Sequence, residues 1–218
     1  MPGGYAQDEV RGSVAVAMRD AGLWEPMAIH PFYAERAASN DDLAPDRIWE
    51  ILQRLEQRYR VAPIHGDLHG ENVRVRGTSA ILIDLASVAR GPLTADLAAL
   101  ETWLAFELPP PPEADAQRFF DAPWADVIGR LFAPAAFRHP PGPARAATPL
   151  AWLEAVVRQI RTMGIAIQSC ATEYQSAVAV QLLRRCQWAD GGPGDRGRRT
   201  VGYQIASKLV ADLEGTGG

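Results

Sequence analysis

The segment His65-Gly-Asp-Leu-His-Gly-Glu-Asn72, followed shortly by Ile83-Asp84, concentrates side chains that could do chemistry together. It supplies a carboxylate at Asp67, an amide at Asn72 and a second carboxylate at Asp84. Between the last two, Asn72-Val-Arg-Val-Arg76 alternates apolar and polar, Gly77-Thr-Ser79 reads as a turn, and Ala80-Ile-Leu-Ile83 reads as a short strand. Antiparallel pairing of these strands places Asn72 and Asp84 at neighbouring ends, where they can share a cation. Hard oxygen ligands of this kind suit Mg²⁺, which completes its octahedron with water and substrate phosphates. Asp67, on the preceding turn, faces the same point and is placed to accept the proton of a hydroxyl that attacks a phosphoryl group.

Any one of these residues alone is more simply a polar turn or strand-end residue. The set is different: a chance match to the six fixed positions of H-G-D-L-H-x-x-N is on the order of one in several hundred thousand for a chain of this length. The continuation Gly91-Pro92, Asp96-Leu97-Ala98 lowers it further.

On these residues, His65 to Glu101 resembles the aminoglycoside phosphotransferase/choline kinase family, relatives of the protein kinases, whose catalytic loop reads H-R-D-L-x-x-x-N. The resemblance implies Asp67 as catalytic base, Asn72 and Asp84 as Mg²⁺ ligands, and Asp96 as a brace reaching back to the loop from the following helix. It implies a loop-anchoring role for His65; His69 also matches the motif, although its simpler reading, apart from the resemblance, is a packed loop histidine. The implied cofactors are Mg²⁺ and ATP or GTP as phosphate donor, with a small-molecule hydroxyl as acceptor. Gly66 stands where protein kinases carry arginine, and only eleven residues separate Asp84 from Asp96, which leaves little room for a peptide-docking segment. Acceptor selection then falls to residues from about Leu108 to Pro149, with Trp124 and Phe137 as candidate pocket residues.

The elements that must position this site are mostly helical. Val10 to Leu23 reads as a short helix broken by glycines, and a turn-rich segment through Pro26 and Pro31 follows. Asp46 to Tyr59 carries Ile48, Ile51, Leu52 and Leu55 at helical spacing behind Pro45. Asp96 to Phe106 and Phe119 to Phe132 read as helices, and 133–149 as a long Pro/Ala/Gly loop. Leu150 to Met163, Glu173 to Trp188 and Val201 to Leu213 complete a helical body. The expected fold is α+β and mostly helical: a kinase-like C-terminal lobe over 45–218 with one small β-hairpin at the active site. Residues 1–44 form a helical or irregular segment in place of an N-lobe. The family's N-lobe supplies a sheet, a phosphate-covering loop and a lysine. The residues before His65 carry no convincing run of strands and no lysine, and the single lysine is Lys208. The expected partner is therefore a separate N-lobe, another chain or a second copy covering the cleft.

Composition excludes other classes. A net charge of -4 offers no general attraction to nucleic acid or anionic membrane, and the basic run Arg196-Gly-Arg-Arg199 lies in a glycine-rich stretch. Two cysteines, Cys170 and Cys186, without CxxC spacing point to reduced thiols and a cytoplasmic protein. No apolar run approaches a membrane span. Two alternatives stand beside the phosphotransferase. One is a non-catalytic or partner-dependent kinase-like module (a pseudokinase), similar to kinase-like proteins of bacterial conflict systems. The other is a metallophosphoesterase, because Gly66-Asp-Leu-His-Gly70 also spells G-D-x-H-G. Such enzymes need several further metal ligands, yet no G-N-H motif exists and only His30 and His139 remain.

Overall fold

The computed structural model describes residues 8–107, 116–138, 150–188 and 193–216. Strand β1 (Asp8–Gly12) leads through the Ser13 N-cap into α1 (Val14–Asp20); α2 (Pro31–Ser39) and α3 (Pro45–Arg54) follow, each with proline in its first turn. Next come β2 (Gln57–Ile64), the hairpin strands β3 (Val73–Arg76) and β4 (Ser79–Leu82), and β5 (Ala89–Pro92). The rest is helical: α4 (Ala95–Phe106), α5 (Ala116–Leu131), α6 (Ala151–Ile167), α7 (Glu173–Arg185) and α8 (Pro193–Thr216). Among the described residues no helix is long and apolar enough to cross a membrane.

Helix α7 is the axis of the core. Every residue from Glu173 to Leu183 is buried, and α8, α4 and α1 pack around it. A helix enclosed on all sides must satisfy its polar side chains internally. Gln175 does so on the Leu209 carbonyl and Asp212, and Glu173 on Thr94 Oγ1 and the Ser169 amide. A second internal knot joins α4, α6 and α7. The fully buried Arg161 forks onto Glu101, which also accepts from the Tyr174 hydroxyl at 2.7 Å, while the guanidinium stacks 3.6 Å from the Phe137 ring. The cluster fixes α4, the helix that enters the site.

The mostly helical α+β expectation agrees with this architecture, but the strand content exceeds a single hairpin. A three-stranded antiparallel sheet of order β1-β2-β5 is also present. The helix expected to run to Tyr59 stops at Arg54. From Gln57 onward the chain is extended, burying Gln57 and Tyr59 on one face of the strand and Ala62 and Ile64 on the other. The chain expected to be helical from Val10 instead pairs Val10 with Tyr59 and turns into α1 only after Gly12. Pro63 sits in the central strand opposite Arg90 of β5, and the described residues of β1 pair only with residues 57–61. Within the turn-rich stretch, Pro31 opens α2, whose Tyr33 is buried. In the expected loop 133–149, Pro134–Phe137 forms a 3₁₀ turn, while 139–149 lie outside the described residues.

Candidate active site

Strand β2 delivers the chain to His65, and a turn at Gly66 begins the loop. Gly66 has φ +80, and a Cβ there would stand 2.2 Å from the Ser87 carbonyl oxygen. Only glycine fits, which gives a local steric reason for H-G-D in this chain. Asp96, in the first turn of α4, accepts from the His65 amide at 2.7 Å with Oδ2 and from the Gly66 amide at 3.0 Å with Oδ1. His65 is buried, and its Nε2 lies 2.8 Å from the Ile83 carbonyl oxygen, which can only accept. Nε2 therefore carries the proton, and Nδ1 accepts from the Asp67 amide at 3.4 Å. One imidazole thus ties the start of the loop to the residue preceding Asp84.

The hairpin forms as expected, with Val73 opposite Leu82 and Arg76 opposite Ser79. Beyond its last paired residues, the Ile83 amide donates to the Asn72 carbonyl at 3.0 Å, which sets Asp84 beside Asn72. Asn72 is buried, and its Nδ2 donates to the Asp67 carbonyl at 3.0 Å. That bond orients the amide, and among the described residues Oδ1 accepts no hydrogen bond. Asp84 adopts φ 58, ψ 64, the left-handed conformation that a side chain rarely takes outside turns and functional sites. Its exposed carboxylate has no hydrogen bond or ion pair among the described residues. Two oxygen donors without partners at one hairpin end fit a hard cation. Among the described residues, no group of three or more His, Cys, Asp or Glu side chains could cage a metal, so a cation here would draw most ligands from water and phosphate.

Asp67 opens onto a cavity of about 240 Å³ together with His69, Glu71 and Trp103. His69 lies 3.8 Å from Asp67 Oδ2 and 4.0 Å from Glu71, and its ring is tilted 32° to that of Trp103. Gly70 admits this indole, since a Cβ would stand 2.3 Å from it. Asp96 and Trp103 are seven residues apart, two turns of α4, so one helix face both braces the loop and walls the cavity.

The far wall was not legible in the sequence. Arg184, Arg185 and Trp188, at and just beyond the C-terminal end of α7, line the same cavity. Arg184 forms an ion pair with Asp67 Oδ1 at 2.9 Å and also donates to the Gly66 carbonyl at 3.3 Å. No motif announces these residues; an adjacent arginine pair closing a helix reads as an ordinary C-terminal turn. Trp124 and Phe137, the pocket residues expected from the sequence, lie elsewhere. Both are buried in the core, Trp124 edge-on to Phe106 and Phe137 against Arg161 and Tyr174, because apolar aromatics are worth more packed than solvated.

A helical body with small antiparallel sheets and a polar loop tied to a hairpin is compatible with a kinase-like fold. The model of the phosphotransferase enzyme family, APH, matches residues 17–131, more than half of the chain, and the chain belongs to that family. The match extends well to either side of the His65–Glu101 stretch that carries the motif. No significant match was found among curated proteins or solved structures.

Proposed function

We propose that this protein moves the γ-phosphate of a nucleoside triphosphate, ATP or GTP, to the hydroxyl of a small molecule. The observation that carries the reading is the convergence of Asp67, Asn72 and Asp84 through two hydrogen bonds, Asn72 Nδ2 to the Asp67 carbonyl and the Ile83 amide to the Asn72 carbonyl. In this reading Asn72 Oδ1 and Asp84 hold Mg²⁺, which when bound neutralises phosphate charge. Asp67 orients the acceptor hydroxyl and takes its proton. As the acceptor oxygen bonds to phosphorus, the bond from the γ-phosphorus to its bridging oxygen breaks and a nucleoside diphosphate leaves. Arg184 fixes one Asp67 oxygen, Oδ1, and leaves Oδ2 without a hydrogen bond among the described residues.

The same reading includes a covering element carrying a phosphate-binding lysine, supplied by further polypeptide. Two observations support it. The single lysine, Lys208, lies on α8 near Asp42, away from the cavity. The hairpin region also leaves Val75, Ile81, Leu82, Leu85 and Val88 exposed, half of the large exposed apolar side chains among the described residues. Without that cover, the 218-residue chain is expected to bind Mg-ATP weakly.

The test tolerates weak binding. Mn²⁺ with ATP, used as a paramagnetic stand-in, should broaden the amide resonances of Asn72, Ile83 and Asp84. Asp84→Asn should remove the effect, whereas Asp67→Asn should preserve it and act on turnover once the cover is present. No broadening at roughly millimolar ATP, the upper range of enzyme KM values, would refute the reading.

A further inference from the structure

The cavity beside Asp67 carries a charge imbalance. Asp67 is matched by Arg184 at 2.9 Å, and Glu71 is 78% exposed at the rim, where water screens it. Deeper in the wall, Arg185 is left with poor compensation. Among the described residues its nearest carboxylate is Glu107 at 3.7 Å, beyond hydrogen-bond distance, and Arg199 approaches that same carboxylate at 3.4 Å. Two guanidinium groups therefore lean on one carboxylate. The Arg185 Nε is sealed from solvent and has no hydrogen-bond partner among the described residues. An unpaired buried donor is costly, and a charged one more so. Burial pushes the Arg185 guanidinium below its ordinary basicity, with Glu107 pulling the other way. The dipole of α7 accounts for cations at its C-terminus, but not for a guanidinium that lines a cavity while sharing one distant carboxylate with a second arginine.

Two indoles complete the wall. Trp103 and Trp188 line the cavity with Arg185, and Trp188 remains 47% exposed. The volume of about 240 Å³ is below the roughly 300–1,000 Å³ of sites for drug-sized ligands, which suits a small occupant.

Resting on the phosphotransferase reading, we propose that the acceptor is a small anion: a hydroxy compound bearing a carboxylate or phosphate that docks on Arg185, lays its carbon frame against Trp103 and Trp188, and presents its hydroxyl to Asp67. A neutral polyol brings no charge to Arg185, whose guanidinium shares the Glu107 carboxylate with Arg199. A cationic amino alcohol meets Arg184 and Arg185 as like charges and lacks the acceptor oxygens that Arg185 needs. Planar guanidinium donors suit both carboxylate and phosphate oxygens, so the two anions are separate arms of the test.

The experiment follows the Arg185 Nε–H and the Trp103 and Trp188 indole N–H resonances of the 218-residue chain. The titrants are glycerate, glycerol 3-phosphate, glycerol and choline, each to about 10 mM, the range of weak millimolar binding. The expected result is saturable shifts with one or both anions and none with glycerol or choline. Arg185→Gln should weaken anion binding roughly ten- to hundred-fold, the scale of a lost hydrogen bond to a charged group, and Arg185→Lys less so. Tighter binding of choline than of either anion, anion binding indifferent to Arg185→Gln, or no shift with any anion would each overturn the proposal. So would displacement of the anion by Mg-ATP, which would assign Arg185 to the phosphate donor. The two readings fail separately. Anion binding that persists while the Mn²⁺–ATP experiment fails removes the phosphotransferase reading, and phosphorylation of a cationic acceptor keeps that reading and removes this one.

Discussion

Replacing Asp96 with asparagine should loosen the His65–Asn72 loop while leaving the helical body folded. Asp96 makes two charge-assisted bonds to consecutive backbone amides, 2.7 Å to His65 and 3.0 Å to Gly66. Hydrogen bonds to charged groups contribute about 1.5–3 kcal/mol each. Asparagine keeps one acceptor oxygen and turns an NH₂ toward the other amide, so one bond is lost and two donors face each other. The expected local cost is about 1.5–3 kcal/mol, and Asp96→Ala, which removes both acceptors, should approach twice that. Because His65 links this backbone to Ile83, the disturbance should reach the Asn72–Asp84 end of the hairpin. Amide hydrogen exchange is the direct assay. His65 and Gly66 should exchange roughly 10- to 150-fold faster in the Asn variant, and amides of α7 should change little. Wild-type protection at both loop amides would refute the argument. An equal loss across α7 would mean that Asp96 supports the whole fold and not the loop.

Three further outcomes are expected. Gly66→Ala combines left-handed backbone with a Cβ 2.2 Å from the Ser87 carbonyl, and should cost at least about 2 kcal/mol in urea unfolding; an unchanged midpoint would show that the turn can rearrange. Glu101→Gln leaves the buried Arg161 without its counter-charge, at about 3–5 kcal/mol, whereas the paired change Glu101→Leu with Arg161→Met should recover much of the loss; calorimetric Tm values of the two variants decide it, and equal Tm values would count against a charge-pair account. Burial raises the Cys186 thiol well above the ordinary range, so an aromatic disulfide reagent should find one reactive thiol in the native chain, Cys170, and two in urea; native reaction at both would indicate an opening of the core at the end of α7.

Local features carried much of this in the sequence. The H-G-D-L-H-x-x-N spacing, the two-residue alternation of the hairpin and the helical periods of α3, α6 and α7 each depend on residues within a few positions of one another. Secondary structure and backbone turn chemistry are short-range, and they remain visible in a single chain. The three-stranded sheet was not, because β1 pairs with β2 about fifty residues on, and the helical spacing of Ile51, Leu52 and Leu55 runs directly into the strand. Nor could spacing distinguish the buried Trp124 and Phe137 from aromatics that line a cavity, since which way an aromatic side chain faces is set by the packing of the whole chain. The pairing of Asp67 with Arg184 spans 117 residues, and the meeting of Trp103 and Trp188 with Arg185 depends on where the ends of α4 and α7 lie once the core has packed. Side chains that converge from separate helices share no sequence period, so the loop and its hairpin were legible in order of residues, and the wall that faces them was decided by helix packing alone.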